Sequence, residues 1–371
     1  MESKTAPQKA TNSLLRKKLA KKLLIVAFVI FNLLIIFWTA SRELRRDQTG
    51  ELPSPNFHIW LLAPAILAFV GALSLDFYKY YILIRRFTKK KDLRLAVQTV
   101  LLGRYYDNIT PSAVGGQPFQ IHHMVKSGIP SHYAAMIPVI GFVSTQTAFV
   151  VLSILTILFG SKIVLSDVAY AASYFGLLLY AFAPVSIIFF AIKPKAAKRI
   201  VSGFLRFLSR IHIVRHLDKT EAKTLGAIEQ YADCIRRVIK NRKLLAKIMG
   251  LSFGYQMLLY SIPFLVVTAF GGSITYLSAT MTAISIMTAI SFIPTPGNAG
   301  AAEGSFYLVF ASLGSGNAFW AMLTWRFFTY YAFIALGGLV YLEMGLRKRG
   351  ILPLSKHFTT PSHSSHSTKS S

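Results

Sequence analysis

The sequence predicts an all-α polytopic integral membrane protein with about eight transmembrane helices, a re-entrant segment and two pseudo-repeated halves that contain broken helices. Three observations lead to this prediction. The 371 residues are 53% hydrophobic and only 15% charged, which is too apolar for an ordinary soluble domain. Several apolar runs are long enough to span a bilayer. Two other apolar regions are interrupted by proline and glycine, which break or weaken helices.

The placement of charge indicates the topology. Residues 1–22 carry seven Lys/Arg and one acid, whereas the loop 41–56 has three of each sign. Basic segments mark the cytoplasmic side, so both termini are predicted to be cytoplasmic. The net charge of +27 lies between hydrophobic segments, which favours anionic phospholipid rather than nucleic acid as a partner. The single cysteine, Cys234, excludes an internal disulfide.

The apolar runs are assigned in order along the chain. Residues 95–130 fit a re-entrant hairpin that enters and leaves on the cytoplasmic side, because polar residues and prolines follow a short apolar run. The predicted crossings are residues 23–40, 57–84, 134–159, 169–192, 244–270, 276–293, 294–316 and 318–342. The chain's charge pattern requires that residues 294–316 cross as a broken helix.

The domain organisation follows from these spans. Residues 1–22 form a basic cytoplasmic arm and residues 23–345 a membrane domain. Its halves, roughly 23–192 and 244–345, are joined by a basic cytoplasmic linker, 193–243. Bases and apolar residues interleave around Arg199 and Arg206, which fits an amphipathic helix on an anionic leaflet, or equally a solvated linker. The basic tail 346–371, rich in Ser and His, is predicted to be disordered.

The two broken segments resemble each other. Residues 108–118 read N-I-T-P-S-A-V-G-G-Q-P, and residues 291–306 read S-F-I-P-T-P-G-N-A-G-A-A-E-G-S-F. Paired interrupted segments in corresponding positions of two halves indicate a transporter substrate site. The unpaired N–H groups of half-helix ends suit an anion such as a lipid phosphate. Chance similarity is the alternative, since Gly and Pro are common in membrane helices.

Charged residues in these apolar regions are the strongest functional candidates, because burying them in a membrane is costly. Glu303 and Arg326 are predicted either to flank a headgroup cavity or to form an ion pair that only joins two helices. Arg104 and Asp107 have the same two interpretations, or lie at interface depth. Replacing Glu303 with Gln is expected to stop headgroup movement without unfolding. The candidate headgroup path comprises Glu303, Arg326, Pro294, Pro296, Gly297, Gly300, Arg104, Asp107, Pro111, Gly115, Gly116, Gln117 and Gln120.

Other residue types favour structural roles. Trp60 and Tyr80 lie near the ends of one predicted span and are typical of interface anchors. His122 and His123 are adjacent on a predicted helix and point about 100° apart, which does not suit chelation. Neither a soluble-type catalytic motif nor a metal or other cofactor site is visible in the sequence.

Three ordered motifs carry a resemblance to a known family. P-S-A-V-G-G-Q-P-F-Q with the following K-S-G-I-P, then P-T-P-G-N-A-G-A-A-E, then W-R-F-F-T-Y-Y resemble the lysylphosphatidylglycerol synthase transmembrane-region family. The resemblance covers roughly residues 20–345. That family includes the membrane domain of the multiple peptide resistance (MprF) proteins. Glu303 and Arg326 match the family pattern, whereas Gln117 and Gln120 stand where relatives often have an acid and an arginine.

The resemblance implies a bacterial plasma-membrane protein that translocates, or helps to handle, a modified phospholipid or glycolipid such as lysyl-phosphatidylglycerol. One alternative is a phosphatidylglycerol lysyltransferase-type role in lipid modification and cationic-peptide resistance. In MprF a separate soluble domain transfers the lysine, and we expect no such domain before Ser371. Another alternative is a non-catalytic partner of a separate synthase or glycosyltransferase. The Gln residues remove charges that would contact a lysyl or phosphate group, so a headgroup other than lysyl-phosphatidylglycerol is also considered, and a homo-oligomer is among the partners considered.

Overall fold

The computed structural model describes residues 59–110, 115–160, 167–210, 217–291, 293, 295–312 and 317–348, with isolated positions 30, 34, 37 and 41. The regular structure of these residues is helical. The helices are α1 (Ile59–Thr88), α2 (Leu93–Ile109), α3 (Gly116–Lys126), α4 (Ser131–Phe159), α5 (Asp167–Ile192), α6 (Pro194–Arg210), α7 (Leu217–Lys240), α8 (Arg242–Ala269), α9 (Tyr276–Ala289), α10 (Ala301–Ser312), α11 (Ala318–Arg326) and α12 (Ala332–Lys348).

Five helical stretches within the described part of the chain are long and apolar enough to cross a membrane. They are Ile59–Thr88, Ser131–Phe159, Tyr170–Ile192, Arg242–Ala269 and Ala318–Arg347. The last includes α11, a π-helical turn at Phe327–Tyr331 and α12. The prediction of an all-helical, multi-pass membrane protein is therefore confirmed. The expected first crossing, residues 23–40, falls outside the described residues except at isolated positions.

Helices α1 and α8 form the centre of the bundle and run in opposite directions. Ala65, near the start of α1, shares a core cluster with Val266, near the end of α8. Leu83, near the end of α1, shares a second cluster with Ile248, near the start of α8. Each is the first long helix that the structure describes in its half of the chain, and opposite directions are the arrangement of inverted repeats.

In the first half, α2 and α3 form a hairpin, named the first hairpin below. Asp92 caps α2 by accepting a hydrogen bond from the Leu95 N–H at 2.8 Å. Lys90, just before α2, donates to the Gly128 carbonyl, just after α3, at 3.2 Å. The hairpin therefore begins and ends at the end of the bundle where α1 ends.

In the second half, α9 and α10 form the second hairpin. The Asn317 side chain, five residues beyond α10, donates to the carbonyl of Phe270, the residue that follows α8, at 3.5 Å. Since α9 starts six residues after Phe270, α9 begins and α10 ends at the same end of the bundle. Because α1 and α8 are antiparallel, this end is opposite to the one where the first hairpin begins.

The second hairpin differs from the expected crossings at residues 276–293 and 294–316. Helix α9 has 14 residues and α10 has 12, which at 1.5 Å per residue gives about 21 and about 18 Å. Neither is long enough for a hydrocarbon core of about 30 Å. Two crossings would return the chain to the side where it started, and so does one hairpin. The charge pattern alone therefore did not distinguish the two arrangements.

The tips of the two hairpins meet inside the bundle. A methyl group added at Gly297, in the second tip, would lie 3.2 Å from the carbonyl oxygen of Asn108 in the first. The second hairpin is also attached to the first half: Ser173 of α5 donates to the Ser285 carbonyl at 3.2 Å, and the Ser153 and Thr288 hydroxyls lie 3.0 Å apart. Two short hairpins from opposite ends thus share one central junction.

The predicted linker contains the helical pair α6 and α7. Lys198 of α6 and Glu229 of α7 form an ion pair at 2.8 Å. On α6, Ala197 and Leu205 are buried, whereas Ile200 and Phe204 are 58% and 59% exposed. The helix therefore has a second apolar stripe that its partner does not cover, and contact of this stripe with an anionic leaflet stays a prediction.

Candidate functional site

A cavity of about 230 Å³ lies where the two hairpin tips meet. Its lining comes from both halves of the chain and includes carboxylate, guanidinium and amide groups. It also includes hydroxyl groups, most of which belong to tyrosines. Six of the sequence-predicted residues line it, namely Arg104, Asp107, Gln117, Gln120, Gly297 and Arg326. The structure thus brings together residues that are about 180–220 positions apart in the sequence.

The remaining sequence-predicted residues lie around this cavity or outside the described chain. Gly115 and Gly116 begin α3, Pro296 and Gly300 belong to the loop before α10, and Glu303 lies in its first turn. Pro111 and Pro294 fall on residues that the structure does not describe.

Side chains satisfy the backbone at the first break. The Thr110 hydroxyl donates to the Tyr106 carbonyl at 2.6 Å and accepts from the Gly115 N–H at 3.0 Å. The Gly116 N–H donates to Asp107 Oδ1 at 2.9 Å. An acid at a helix N-terminus satisfies an unpaired N–H and complements the helix dipole. Asp107 therefore caps α3 while it also lines the cavity.

The second break depends on residues that tolerate left-handed backbone. Gly297, Asn298 and Gly300 have φ values of +57°, +54° and +88°, a region that L side chains rarely adopt and that Gly and Asn enter most readily. The Gly300 N–H then donates to Glu303 Oε2 at 2.7 Å. This is the reciprocal half of a capping box, so Glu303 caps α10 as Asp107 caps α3.

Glu303 and Arg326 form a nearly closed ion pair. Arg326 Nε lies 2.7 Å from Glu303 Oε1, and both side chains are 3% exposed. Arg326 also donates to the Gly297 carbonyl at 3.2 Å and lies 4.5 Å from the centre of the Tyr330 ring. The π-helical turn that follows Arg326 widens the helix locally, a feature often found at functional sites.

A second buried charge cluster was missed by the sequence analysis. Asp76 lies between Lys79, at 2.7 Å from Oδ1, and Arg104, at 2.9 Å from Oδ2. Asp76 and Lys79 are 2% and 1% exposed, whereas the Arg104 side chain is 27% exposed. Lys79 also donates to the Thr145 hydroxyl at 2.6 Å. The signal was present, because two opposite charges three residues apart inside an apolar span are rarely without function.

Tyr80 of α1 and Gln120 of α3 line the cavity beside this cluster. Gln120 donates to the Thr99 carbonyl at 3.0 Å, and the Tyr80 hydroxyl lies 3.5 Å from Gln120 Oε1. Tyr80 is 5% exposed and lines the cavity, so its prediction as an interface anchor was wrong. Trp60, by contrast, is 84% exposed at the start of α1.

The arrangement is suited to binding a polar group inside an otherwise apolar bundle. Three basic side chains, Arg104, Arg326 and Lys79, balance three acids within or beside the cavity. Arg104 stacks 4.9 Å above the Tyr255 ring, which holds its guanidinium plane in place. Among the described residues no group of three His, Cys, Asp or Glu side chains could hold a metal ion.

Comparisons with known proteins agree with the motif resemblance. A family model described as "Lysylphosphatidylglycerol synthase TM region" matches residues 23–337. A protein named "UPF0104 membrane protein" from Methanothermobacter thermautotrophicus is 26% identical over 261 residues, which cover 69% of this chain and 76% of that protein. No solved structure matches the chain.

Proposed function

We propose that the chain, which belongs to the lysylphosphatidylglycerol synthase transmembrane-region family, translocates the headgroup of a phospholipid or glycolipid across the plasma membrane. One observation carries the proposal: hairpins from opposite ends of the bundle meet in a single polar cavity that both halves line. A headgroup must lose its water to cross hydrocarbon, and such a cavity supplies replacement hydrogen bonds.

The two halves suggest how access alternates between leaflets. In transporters with inverted repeats, substrate binds near the midplane between the repeats, and one repeat moves against the other. Here each hairpin enters from one end of the bundle and supplies residues to the cavity. A shift of either hairpin would open the cavity on its own side while the opposite hairpin stays closed. Both termini then lie in the cytoplasm, on the side where exposed bases attract anionic lipid.

Arg104 is the residue best placed to contact the headgroup. Its guanidinium lines the cavity and its side chain is partly exposed, unlike that of Arg326. A guanidinium binds phosphate oxygens with two parallel hydrogen bonds. When Arg104 turns toward a phosphate, Asp76 keeps Lys79 at 2.7 Å and is not left without a countercharge.

The test is headgroup exposure in proteoliposomes that contain only this chain. Fluorescent or aminoacylated phosphatidylglycerol is loaded on one leaflet and read by chemical quenching from outside. We expect faster equilibration than in empty liposomes, and loss of this acceleration in Arg104→Gln. Arg94→Gln is the matched control, because Arg94 lies on the same helix but pairs with Glu343 outside the cavity.

The same experiment separates the alternatives. Equal equilibration with and without the chain, for every lipid offered, would contradict translocation and favour a partner of a separate lipid-modifying enzyme. Formation of lysyl-lipid by this chain alone, with lysyl-tRNA supplied, would instead favour the lysyltransferase-type role.

A further inference from the structure

Apart from the polar cavity, the bundle contains an apolar groove of about 390 Å³ between α4, α5, α7 and α8. Ten of its twelve lining residues are hydrophobic, among them Val143 of α4, Ile188 of α5, Val238 of α7 and Ile248 of α8. The groove lies across α4 from the headgroup cavity, which Gly141, Thr145 and Gln146 of the same helix line. It therefore forms no part of the proposed translocation path.

Water is a poor occupant of this groove. A buried water molecule needs two to four polar partners, and the lining offers few. Ser144 donates to the Gly141 carbonyl at 2.9 Å and accepts from the Ser252 hydroxyl at 3.1 Å, so its hydroxyl is already used. An empty groove would forfeit dispersion contacts along all its walls. A hydrocarbon chain fills the space without either cost.

The charge at one end of the groove indicates which lipid supplies the chain. Helix α5 ends, α7 ends and α8 begins at this end of the bundle. Exposed bases cluster there, namely Lys193, Arg237, Lys240, Arg242 and Lys243. Asn241, between them, is engaged in capping α8 through the Leu244 N–H at 3.1 Å. We propose that the groove binds one acyl chain of an anionic phospholipid whose phosphate contacts these bases.

The bound lipid has a structural consequence for the linker helices. Helix α7 supplies Ile235, Val238 and Ile239 to the groove, while α4 and α8 supply the opposite walls. An acyl chain between them attaches α7 to both halves of the membrane domain. Anionic lipid then acts as a bound component of the fold, separate from any lipid that the protein moves.

The test counts and identifies bound lipid on the full-length protein. After delipidation in detergent, phosphatidylglycerol or phosphatidylcholine is added back, and bound lipid is measured by native mass spectrometry and thermal melting. We expect one tightly held phosphatidylglycerol per chain. Val143→Phe with Ile188→Phe fills the groove and should abolish retention. Val185→Phe on α5 is the control, because Val185 is 60% exposed and does not line the groove.

A second variant tests the charged end. Arg242→Gln with Lys243→Gln should reduce the preference for phosphatidylglycerol over phosphatidylcholine roughly thirtyfold, because each base near an anionic surface contributes about fivefold. Equal retention in the filled and control variants would overturn the proposal, as would equal affinity of the wild type for the two lipids.

Wild-type protein supplies a measurement that does not depend on folding of the variants. Phosphatidylglycerol with a photoreactive acyl chain should cross-link mainly to peptides of the groove. Cross-links spread evenly over the exposed apolar surface of α5, such as Leu178 and Phe182, would contradict a specific site. The headgroup assay is a separate readout, so either proposal can fail alone.

Discussion

The two halves of the molecule each hold an arginine beside the cavity with a buried acid, yet the two pairs differ in freedom. Glu303 and Arg326 are both 3% exposed, and Arg326 is the base that pairs with Glu303. In the first half Asp76 has two bases, and Arg104 is 27% exposed. A redundant countercharge allows an arginine to leave its acid, because the acid is not then buried as an unpaired charge. The Asp76–Arg104 pair, in the first half, is suited to binding. The Glu303–Arg326 pair, in the second half, is suited to stabilising the fold.

The capping acids show the same difference. Asp107 and Glu303 each accept an N–H at the start of the second helix of a hairpin. The other oxygen of Glu303 is held by Arg326, whereas Asp107 makes no ion pair within the described ranges. The same capping arrangement therefore leaves Asp107 facing the cavity in the first half, whereas Arg326 covers Glu303 in the second half.

The largest effect is expected from breaking the closed pair. Arg326→Gln leaves Glu303 buried with only the Gly300 N–H, and removing one partner of a buried pair costs about 3–5 kcal/mol. The melting temperature in detergent should fall sharply. Adding Glu303→Gln should restore more than half of the loss. A single variant as stable as the wild type would show that this pair does not hold the hairpin, and would favour the prediction that Glu303→Gln affects transport alone.

We expect a smaller effect on stability but a large effect on transport when the Asp76–Arg104 pair is closed like the Glu303–Arg326 pair. Lys79→Met removes the redundant base, so Asp76 should hold Arg104 permanently. Headgroup equilibration should slow by about tenfold, equivalent to about 1.4 kcal/mol of added barrier. Lys247→Met is the control, since Lys247 is exposed and bonds to Tyr78 outside the cavity. Unchanged transport would contradict the role of Lys79 in freeing Arg104.

The glycines at the two breaks should not tolerate replacement by alanine, for different reasons. A methyl group at Gly297 would lie 2.3 Å from the Tyr330 ring on a left-handed backbone, whereas at Gly116 it would lie 2.6 Å from the Gly103 carbonyl oxygen. Each change to Ala should lower the free energy of unfolding by about 1–3 kcal/mol. Gly338→Ala, with open space around it, is the control and should be neutral or stabilising. Melting curves in detergent measure all three.

The smallest effect concerns the caps at the start of each hairpin. Asp92 accepts from Leu95 at 2.8 Å, and Thr275 accepts from Ser278 at a longer 3.4 Å. Asp92→Ala should cost about 1 kcal/mol, and Thr275→Ala less. Hydrogen exchange in the first turns of α2 and α9 measures the difference. Equal protection loss in both variants would show that cap geometry does not distinguish the hairpins.

Several features were predictable from residue type alone. Long apolar runs need lipid, and closely spaced prolines and glycines weaken a helix, so the class of protein and the approximate position of both breaks followed from composition and order. Glu303 and Arg326 were functional candidates because a charge inside an apolar region needs a partner. Those features depend on neighbours in the sequence.

The partners of these groups depend on packing between distant segments. Asp76 and Arg104 are 28 residues apart, and the Gly297 loop meets Asn108 across nearly 190 positions. A hairpin and two crossings have the same charge pattern, so only the short helices and the contact of Asn317 with Phe270 distinguished them. Residue type alone indicates which side chains are costly to bury and where the backbone breaks. Packing between distant segments leaves Arg104 partly exposed and encloses Arg326, because it brings a second base to Asp76.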